Sequence, residues 1–337
     1  MPTRQDESSR QRELDTYRVV DTLPELAFDD ITRLASILCG TPIALVSLID
    51  RDRQWFKSRT GLDLTEGKRE EAFCDHVIRE PGQLMEVADA ERDPRFVDNP
   101  FVTGQAGIRF YAGMPLVTPS GAAIGTVCVL DREPRQLSAE QRDGMASLAR
   151  LTMNLLEARH RERKLELATI LMAASAPETP VAMQGTESLS PAAPTPVAPA
   201  PDTSAFTVAI FELQGLEAAV KRIGDRAVNR ALAQLHDAIE AHLRPGSGDT
   251  VSHASGSPEM IVVLHGKDAH EHLQPLSDYL RGFDGETSFR VLTGASQSND
   301  AKERPELVYL RADAQLSAAK DQYRGEIAAR LGATLPA

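Results

Sequence analysis

The sequence predicts two mixed α/β domains in tandem, an α+β module followed by an α/β sandwich, and three observations predict it. The chain has 337 residues, which at roughly 100–200 residues per domain is room for two cores. A stretch rich in Ala, Pro, Ser and Thr divides it, running from Ser175-Ala-Pro-Glu-Thr-Pro180 to Ala198-Pro-Ala-Pro-Asp-Thr203. On both sides of it, short apolar runs rich in β-branched residues alternate with segments of helical periodicity. Residues 1–172 and 204–330 are therefore expected to fold. Residues 173–203 form an extended spacer, because their composition buries too little apolar surface to offset the entropy of ordering.

The first domain begins with apolar residues at helical spacing from Leu26 to Leu38, just after Pro24. Ile43–Ile49 is a short apolar run closed by Asp50-Arg-Asp52, which reads as a buried strand and a turn. Trp55–Ser58 returns beside it as a hairpin partner. Leu84–Val87, Tyr111–Val117 and Ala123–Leu130 are further strands, the last two separated by a Thr-Pro-Ser-Gly turn. Ser138 then caps a long helix with Glu140 and Gln141 in its first turn, reaching about Met172. Along it Met145, Leu148, Leu151, Leu155, Leu165 and Leu167 make an apolar stripe. That stripe either packs on its own sheet or pairs two copies of the chain, and the charged end past Arg159 favours a projecting helix in a homodimer.

The second domain opens with a strand at Thr207–Leu213, followed by helices from about Gly215 and from Ala227 to Leu243. A Pro-Gly-Ser-Gly turn leads to an apolar strand at Met260–Leu264. A helix near His270–Phe283, a strand at Phe289–Leu292 and a final helix at Pro305–Lys320 complete it.

Composition narrows the function. A net charge of −12 argues against nucleic acid and against anionic membrane surfaces, both of which need a basic footprint. No apolar run approaches the length of a membrane span, and the N-terminus is too polar for a signal peptide. The three cysteines, Cys39, Cys74 and Cys128, lack CxxC spacing, so neither a disulfide framework nor a zinc site is expected and a reducing cytoplasm is the natural setting.

Blocks in the first domain resemble GAF domains of the kind placed ahead of diguanylate cyclases and sensor kinases. They are Tyr17-Arg-Val-Val-Asp-Thr-Leu-Pro24, Pro42-Ile-Ala-Leu-Val-Ser-Leu-Ile-Asp50, Arg53-Gln-Trp-Phe-Lys-Ser58 and Ala72-Phe-Cys-Asp-His-Val-Ile78, then Asp93-Pro-Arg-Phe96, Ile108-Arg-Phe-Tyr-Ala-Gly-Met-Pro-Leu116 and Gly125-Thr-Val-Cys-Val-Leu-Asp131. The resemblance implies an antiparallel sheet with flanking helices and a pocket for a small-molecule ligand. Polar groups set among bulky apolar ones make Trp55, Phe73, Cys74, His76, Arg109 and Tyr111 the pocket candidates. Trp55 and Phe73 read as core ahead of ligand contacts, since large aromatics dominate cores. Cys74 and His76 share a face of a strand but not of a helix. Cys128, in an apolar strand, reads as an inert buried thiol.

Residues 204–328 resemble a GGDEF domain, the diguanylate cyclase module with its nucleotidyl cyclase-type α/β sandwich. Arg311-Ala-Asp-Ala-Gln-Leu-Ser-Ala-Ala-Lys-Asp-Gln-Tyr-Arg324 follows the family's terminal helix, and Phe211-Glu-Leu-Gln-Gly-Leu216 falls on its first strand. Gly224-Asp225 and Val228-Asn229 fall on its GHxxGD stretch. Ser255-Gly-Ser-Pro-Glu-Met260 stands where the GGDEF turn belongs. Joining two GTP molecules needs divalent metal on carboxylate oxygens. Glu212 stands for one ligand, but Ser257 or Pro258 holds the other position, with Gly256 beside them and Glu259 reached only by a shift of register. Val220 and Asn229 depart from the guanine-reading residues, and Gly246-Ser-Gly-Asp249 lacks the arginine of the inhibitory motif. Lys320 and Arg324 match residues that touch nucleotide phosphates, but read first as solvated cations at a helix end. His265, His270 and His272 read as a solvated edge rather than a metal site.

The expected function is a non-catalytic signalling protein. Its GAF-like module senses a small molecule or dimerises, and its degenerate GGDEF-like domain regulates or binds a protein partner. Two alternatives stay open. One is an active diguanylate cyclase using Mg and GTP through an atypical metal site, and the other is a thiol-based redox sensor at Cys74.

Overall fold

The computed structural model describes residues 7–175, 205–253, 258–287, 289–300 and 303–333. Most of the expected spacer therefore lies outside the described residues. The chain divides into two compact units, Met1–Glu162 and Arg163–Ala337, each built on its own antiparallel sheet.

The first unit starts with α1 (Glu7–Tyr17), which the polar N-terminal sequence did not announce, and α2 (Leu26–Cys39). Gly40 ends α2 at φ 64°, with its amide bonded back to the Ser36 carbonyl, the left-handed helix stop that glycine adopts without strain. Then come β1 (Ile43–Ile49), β2 (Arg53–Thr60), β3 (Glu66–Lys68), the short α3 (Phe73–Val77), β4 (Met85–Val87), α4 (Pro100–Thr103), β5 (Phe110–Val117) and β6 (Ala123–Asp131). The sheet order is β3-β2-β1-β6-β5-β4. A long α5 (Ala139–Ser175) follows. The Ser138 hydroxyl accepts from the Gln141 amide at 3.2 Å and the Gln141 side chain accepts from the Ser138 amide at 2.9 Å, a reciprocal box that satisfies two orphan donors at the helix start.

Every residue of β1 and β6 is buried, so both faces of the sheet centre are covered. Along β1 the period of two sends Ala44, Val46 and Leu48 to a core with Leu14, Phe28, Ile31, Met145 and Leu148 from α1, α2 and α5. It sends Ile43, Leu45 and Ile49 to a second core with Phe56, Phe73, Cys74, Tyr111 and Cys128. The β1–β2 register slips between Val46 and Ser47, which pair with Ser58 and Phe56, so Lys57 is the extra residue of a bulge. Its ammonium is buried against Thr22, the Leu23 carbonyl and Glu25 at 2.6–2.8 Å.

The second unit takes in the last turns of α5, where Leu171 is buried and Leu167 and Ile170 pack against Val208, Ile210, Ile261 and Leu316. The charged end of α5 is thus docked on a core rather than projecting. Arg163 is the reason in charge terms, since it pairs with Glu259. The unit continues as β7 (Phe206–Gln214), α6 (Leu216–Ile223), α7 (Asp225–Ala241), β8 (Thr250–His253), β9 (Glu259–His265), α8 (Ala269–Thr287), β10 (Arg290–Gln297) and α9 (Pro305–Ala333). Its sheet runs β10-β7-β9-β8, a split β-α-β-β-α-β arrangement with helices inserted between the strands. The strand expected at Phe289–Leu292 extends to Gln297, paired along its whole length with β7. Among the described residues, no helix is long and apolar enough to cross a membrane.

Gly294 on β10 marks the tightest approach in this unit. A Cβ there would lie 2.1 Å from the Ala312 carbonyl oxygen and 2.4 Å from the Leu316 amide nitrogen. Gly294→Ala is therefore expected to destabilise the second unit by about 1–3 kcal/mol or more. Gly325→Ala, in α9 with open space around it, is expected to add about 0.5–1 kcal/mol. Denaturant melts of the two variants check the pair, and equal effects would mean that β10 and α9 do not pack this closely.

Candidate functional site

The second core of the first unit is not closed. A narrow pocket, open to solvent at its mouth, is lined by Ile43, Leu45, Phe56, Phe73, Phe101, Ile108 and Leu130, with Gln54, Cys74, Tyr111, Cys128 and Arg132 as its polar or reactive members. The wall is overwhelmingly apolar, as small-molecule pockets are.

Alternation places most of these groups. On β6, Thr126, Cys128 and Leu130 are two apart, and on β5 Tyr111 lies two before Gly113. Gly113 is paired with Cys128 across the ladder. A Cβ on Gly113 would sit 2.1 Å from the Tyr111 hydroxyl, so the missing side chain is the space in which that phenol lies along its own strand. From there the Tyr111 hydroxyl reaches Cys74 Sγ at 3.2 Å. The Thr126 hydroxyl donates to the same sulfur at 3.1 Å and the Gln54 amide at 3.0 Å. Cys128 Sγ is 3.7 Å away.

Burial pushes the Cys74 thiol up, but hydrogen bonds from Cys128, Thr126, Tyr111 and Ser47 outweigh it and bring its pKa to about 7. Cys128 goes the other way, held well above the usual thiol value by burial and by its neighbour Cys74. Burial likewise raises Tyr111, which keeps its hydroxyl a donor. Cys39, in the opposite core with burial alone acting on it, is pushed up to about 11. The two pocket thiols are therefore chemically unlike each other and unlike the third.

Three of the sequence candidates, Phe73, Cys74 and Tyr111, line this pocket. Three do not. Trp55 faces the helix-side core, because β2 alternates and Phe56 takes the pocket side. His76 and Cys74 lie on the helical α3, which turns them apart, and His76 sits edge-on to Phe96 with ring centroids 4.9 Å apart. Arg109 precedes β5 and is engaged by the Val102 carbonyl at 3.0 Å and by Glu91 at 2.6 Å. Cys128, Gln54, Thr126 and Arg132 were not singled out for the pocket. Cys128 and Gln54 lie inside the matching blocks, but their facing is visible only once the strands are paired.

In the second unit Glu212 and Glu259 stand directly opposite each other on β7 and β9, both almost fully buried. Lys320 reaches Glu212 at 2.6 Å and Arg163 pairs with Glu259. The Gln214 amide also donates to Glu212 at 2.6 Å. Burial and the Glu259 carboxylate push Glu212 up, against Lys320, to about 7. Carboxylates neutralised by ammonium and guanidinium are not the anionic, oxygen-rich donor set that a magnesium ion takes. Lys320 is thus spent inside the fold rather than held out for a phosphate, and Arg324 lies 3.6 Å from Asp321. Pro258 accepts from the Leu213 amide at 3.3 Å through its carbonyl. Gly256 and Ser257 lie outside the described residues, as does the side chain of Asn229. Asp249 is bound by Arg244, with contacts at 2.8 and 2.9 Å. His272 meets Asp268 at 3.4 Å.

The thiol asymmetry is open to measurement. Ultraviolet thiolate absorbance of the full chain is expected to show one titration with a midpoint near 7. It should vanish in Cys74→Ser and move upward in Tyr111→Phe, whereas a first midpoint above about 8.5, the free cysteine value, would refute the assignment.

Comparison with known proteins agrees with the first unit's geometry. The GAF domain family model matches residues 24–156. A cyclic di-GMP phosphodiesterase of Pseudomonas aeruginosa is 44% identical over 153 residues, 45% of this chain and 26% of that protein, so the chain spans about a quarter of the relative's length. Among solved structures, the GAF domain of an Acinetobacter phosphoenolpyruvate-protein phosphotransferase aligns at 15% identity and TM-score 0.35, covering 44% of this chain and 95% of that one. A microbial GGDEF domain described with cyclic di-GMP aligns at 21% identity and TM-score 0.32, covering 35% and 74%. With the matching family model and the antiparallel sheet in agreement, residues 24–156 of this chain are a GAF domain.

Proposed function

We propose that the protein is a non-catalytic regulator of cyclic di-GMP signalling, in which the GAF pocket senses a small, largely apolar molecule and a degenerate GGDEF-like second unit passes the signal to a protein partner. The observation that carries this reading is the fate of Glu212 and Glu259. A diguanylate cyclase needs its carboxylates on metal, and here each is buried with a cation of its own. The pathway assignment is supported by the phosphodiesterase relative, and the sensor role by an apolar pocket with Arg132 on its wall to meet a polar or anionic end of the ligand.

Such a regulator acts as a homodimer in this reading. Leu34 and Ile37 on α2 and Leu151 on α5 are exposed in the first unit, and burying them against a second copy offsets the cost of association. Leu151→Glu is expected to shift the chain toward monomer in sedimentation equilibrium, and an unchanged mass would remove this surface from the proposal.

Purified protein given GTP with magnesium or manganese is expected to form no cyclic di-GMP. Product formation would overturn the non-catalytic reading outright. The ion pairs themselves are tested by stability. Lys320→Met leaves Glu212 buried without its cation, at a cost of about 3–5 kcal/mol. The Glu212 pKa lies above its unfolded value of 4.5, at about 7, so the folded state holds the extra proton. The associated stabilisation is complete below about 4.5 and is lost as pH rises through about 7. Amide exchange of β7 and β9 is accordingly expected to be slower at about pH 5 than at about pH 8 after correction for intrinsic rates, with the difference gone in Glu212→Gln.

A further inference from the structure

Cys74 and Cys128 meet on the wall of the proposed sensing pocket, and the regulatory reading gives neither sulfur a role of its own. Their sulfurs are 3.7 Å apart, and a disulfide is about 2.05 Å long, so closing the bond takes roughly 1.7 Å of approach. They come from different layers, Cys74 from α3 and Cys128 from the central strand β6. The rigid partner is thus in the sheet and the movable one on a helix of five residues. Both line the pocket, but Cys74 is 1% and Cys128 0% exposed with the pocket surface counted, so a hydroperoxide reaches Cys74 only as the short α3 shifts away from the sheet.

The surroundings divide the roles. Three donors from three strands, Gln54, Tyr111 and Thr126, converge on Cys74 Sγ within 3.0–3.2 Å. Donors aimed at one sulfur stabilise its thiolate, the nucleophilic form. Cys128 stays a thiol beside it, placed to resolve whatever forms on Cys74. The same donors would be poor company for an inert core cysteine, which has no use for an amide and two hydroxyls; Cys39, by contrast, is shifted by burial alone.

We propose that Cys74 and Cys128 are a peroxide-reactive dithiol pair, oxidised within the pocket by a hydroperoxide to an intramolecular disulfide. The Cys74 thiolate attacks the terminal oxygen of the hydroperoxide, the O–O bond breaks, and the alkoxide leaves and takes a proton from solvent. Cys74 is then a sulfenic acid. The Cys128 sulfur attacks the Cys74 sulfur, the S–O bond breaks, and hydroxide departs with the Cys128 proton as water. Two thiols have lost two electrons, and one hydroperoxide has become one alcohol and one water. The disulfide draws α3 toward β6 and removes the thiolate that Gln54, Tyr111 and Thr126 bind, so oxidation remodels the pocket wall. The proposal stands on the thiol geometry and is independent of whether the second unit is catalytic.

The test uses the full chain, reduced and then exposed to hydrogen peroxide or tert-butyl hydroperoxide. Peptide mapping under non-reducing conditions is expected to recover a Cys74–Cys128 cross-link, with denatured thiol titration falling from three groups to the single Cys39. Cys128→Ser should stop at a Cys74 sulfenic acid that dimedone traps, and Tyr111→Phe should slow the reaction several-fold at neutral pH. Native protein that keeps three thiols, links either residue to Cys39, or takes dimedone on Cys128 first would overturn the proposal. Because the mapping is done on the unaltered chain, it decides the matter even where a variant fails to fold.

Discussion

Burial of β1 and β6 on both faces is the constraint from which the first unit follows. A strand buried at every position has no side to give to water, so the sheet needs two covers. One cover is built from the long, regular helices α1, α2 and α5, which interdigitate with Ala44, Val46 and Leu48. The other is assembled from pieces too short to do the same, a five-residue α3 and a four-residue α4 with their connecting loops. Short pieces cannot tile a sheet as evenly as long helices. The space left over is the pocket, and the residues of β1, β2, β5 and β6 that would have been ordinary core become its floor.

The second unit meets a related demand with a different outcome. Its strands β7 and β9 carry a buried carboxylate each, side by side, where an apolar residue would have been simpler. Two adjacent negative charges in a core are tolerated only with partners, and Lys320 and Arg163 supply them. The C-terminal turns of α5 and the middle of α9 are held to the sheet by charge as well as by Leu171, Val308 and Leu316. The paired carboxylates with their cations are part of the internal support of the fold.

Much of this was legible in the sequence, and the exceptions have identifiable physical causes. Runs such as Ile43–Ile49 and Ala123–Leu130 announce central strands because they are short, largely apolar and rich in β-branched residues. The Ser138–Gln141 box announces the start of α5. Alpha1 was missed because its interior face is partly polar, with Arg10 and Gln11 buried and bonded to the Ile49 carbonyl and to Asp50. The facing of Trp55 and Phe56 was undecidable without the pairing of β2, since two adjacent aromatics fit either parity. Cys74 and His76 depended on a choice between helix and strand that five residues do not settle. The meeting of Cys74 with Cys128 is a contact across 54 positions, set by tertiary packing and not by local pattern. Arg163 lay in a charged tail that reads as solvated, and only the position of Glu259 gives it a partner.

Gly113 carries a consequence for how this domain can diverge. The ring of Tyr111 occupies the volume of a side chain two positions along the same strand, with atoms of the ring and its hydroxyl 2.1–2.9 Å from where a Cβ would be. Position 113 therefore cannot gain a side chain while Tyr111 keeps this pose. A descendant that acquires alanine or serine at 113 must first have exchanged Tyr111 for something smaller, and a lineage that keeps tyrosine is bound to glycine. In an alignment of related domains the dependence should run one way, with glycine at 113 wherever tyrosine stands at 111 and no tyrosine where 113 carries a side chain.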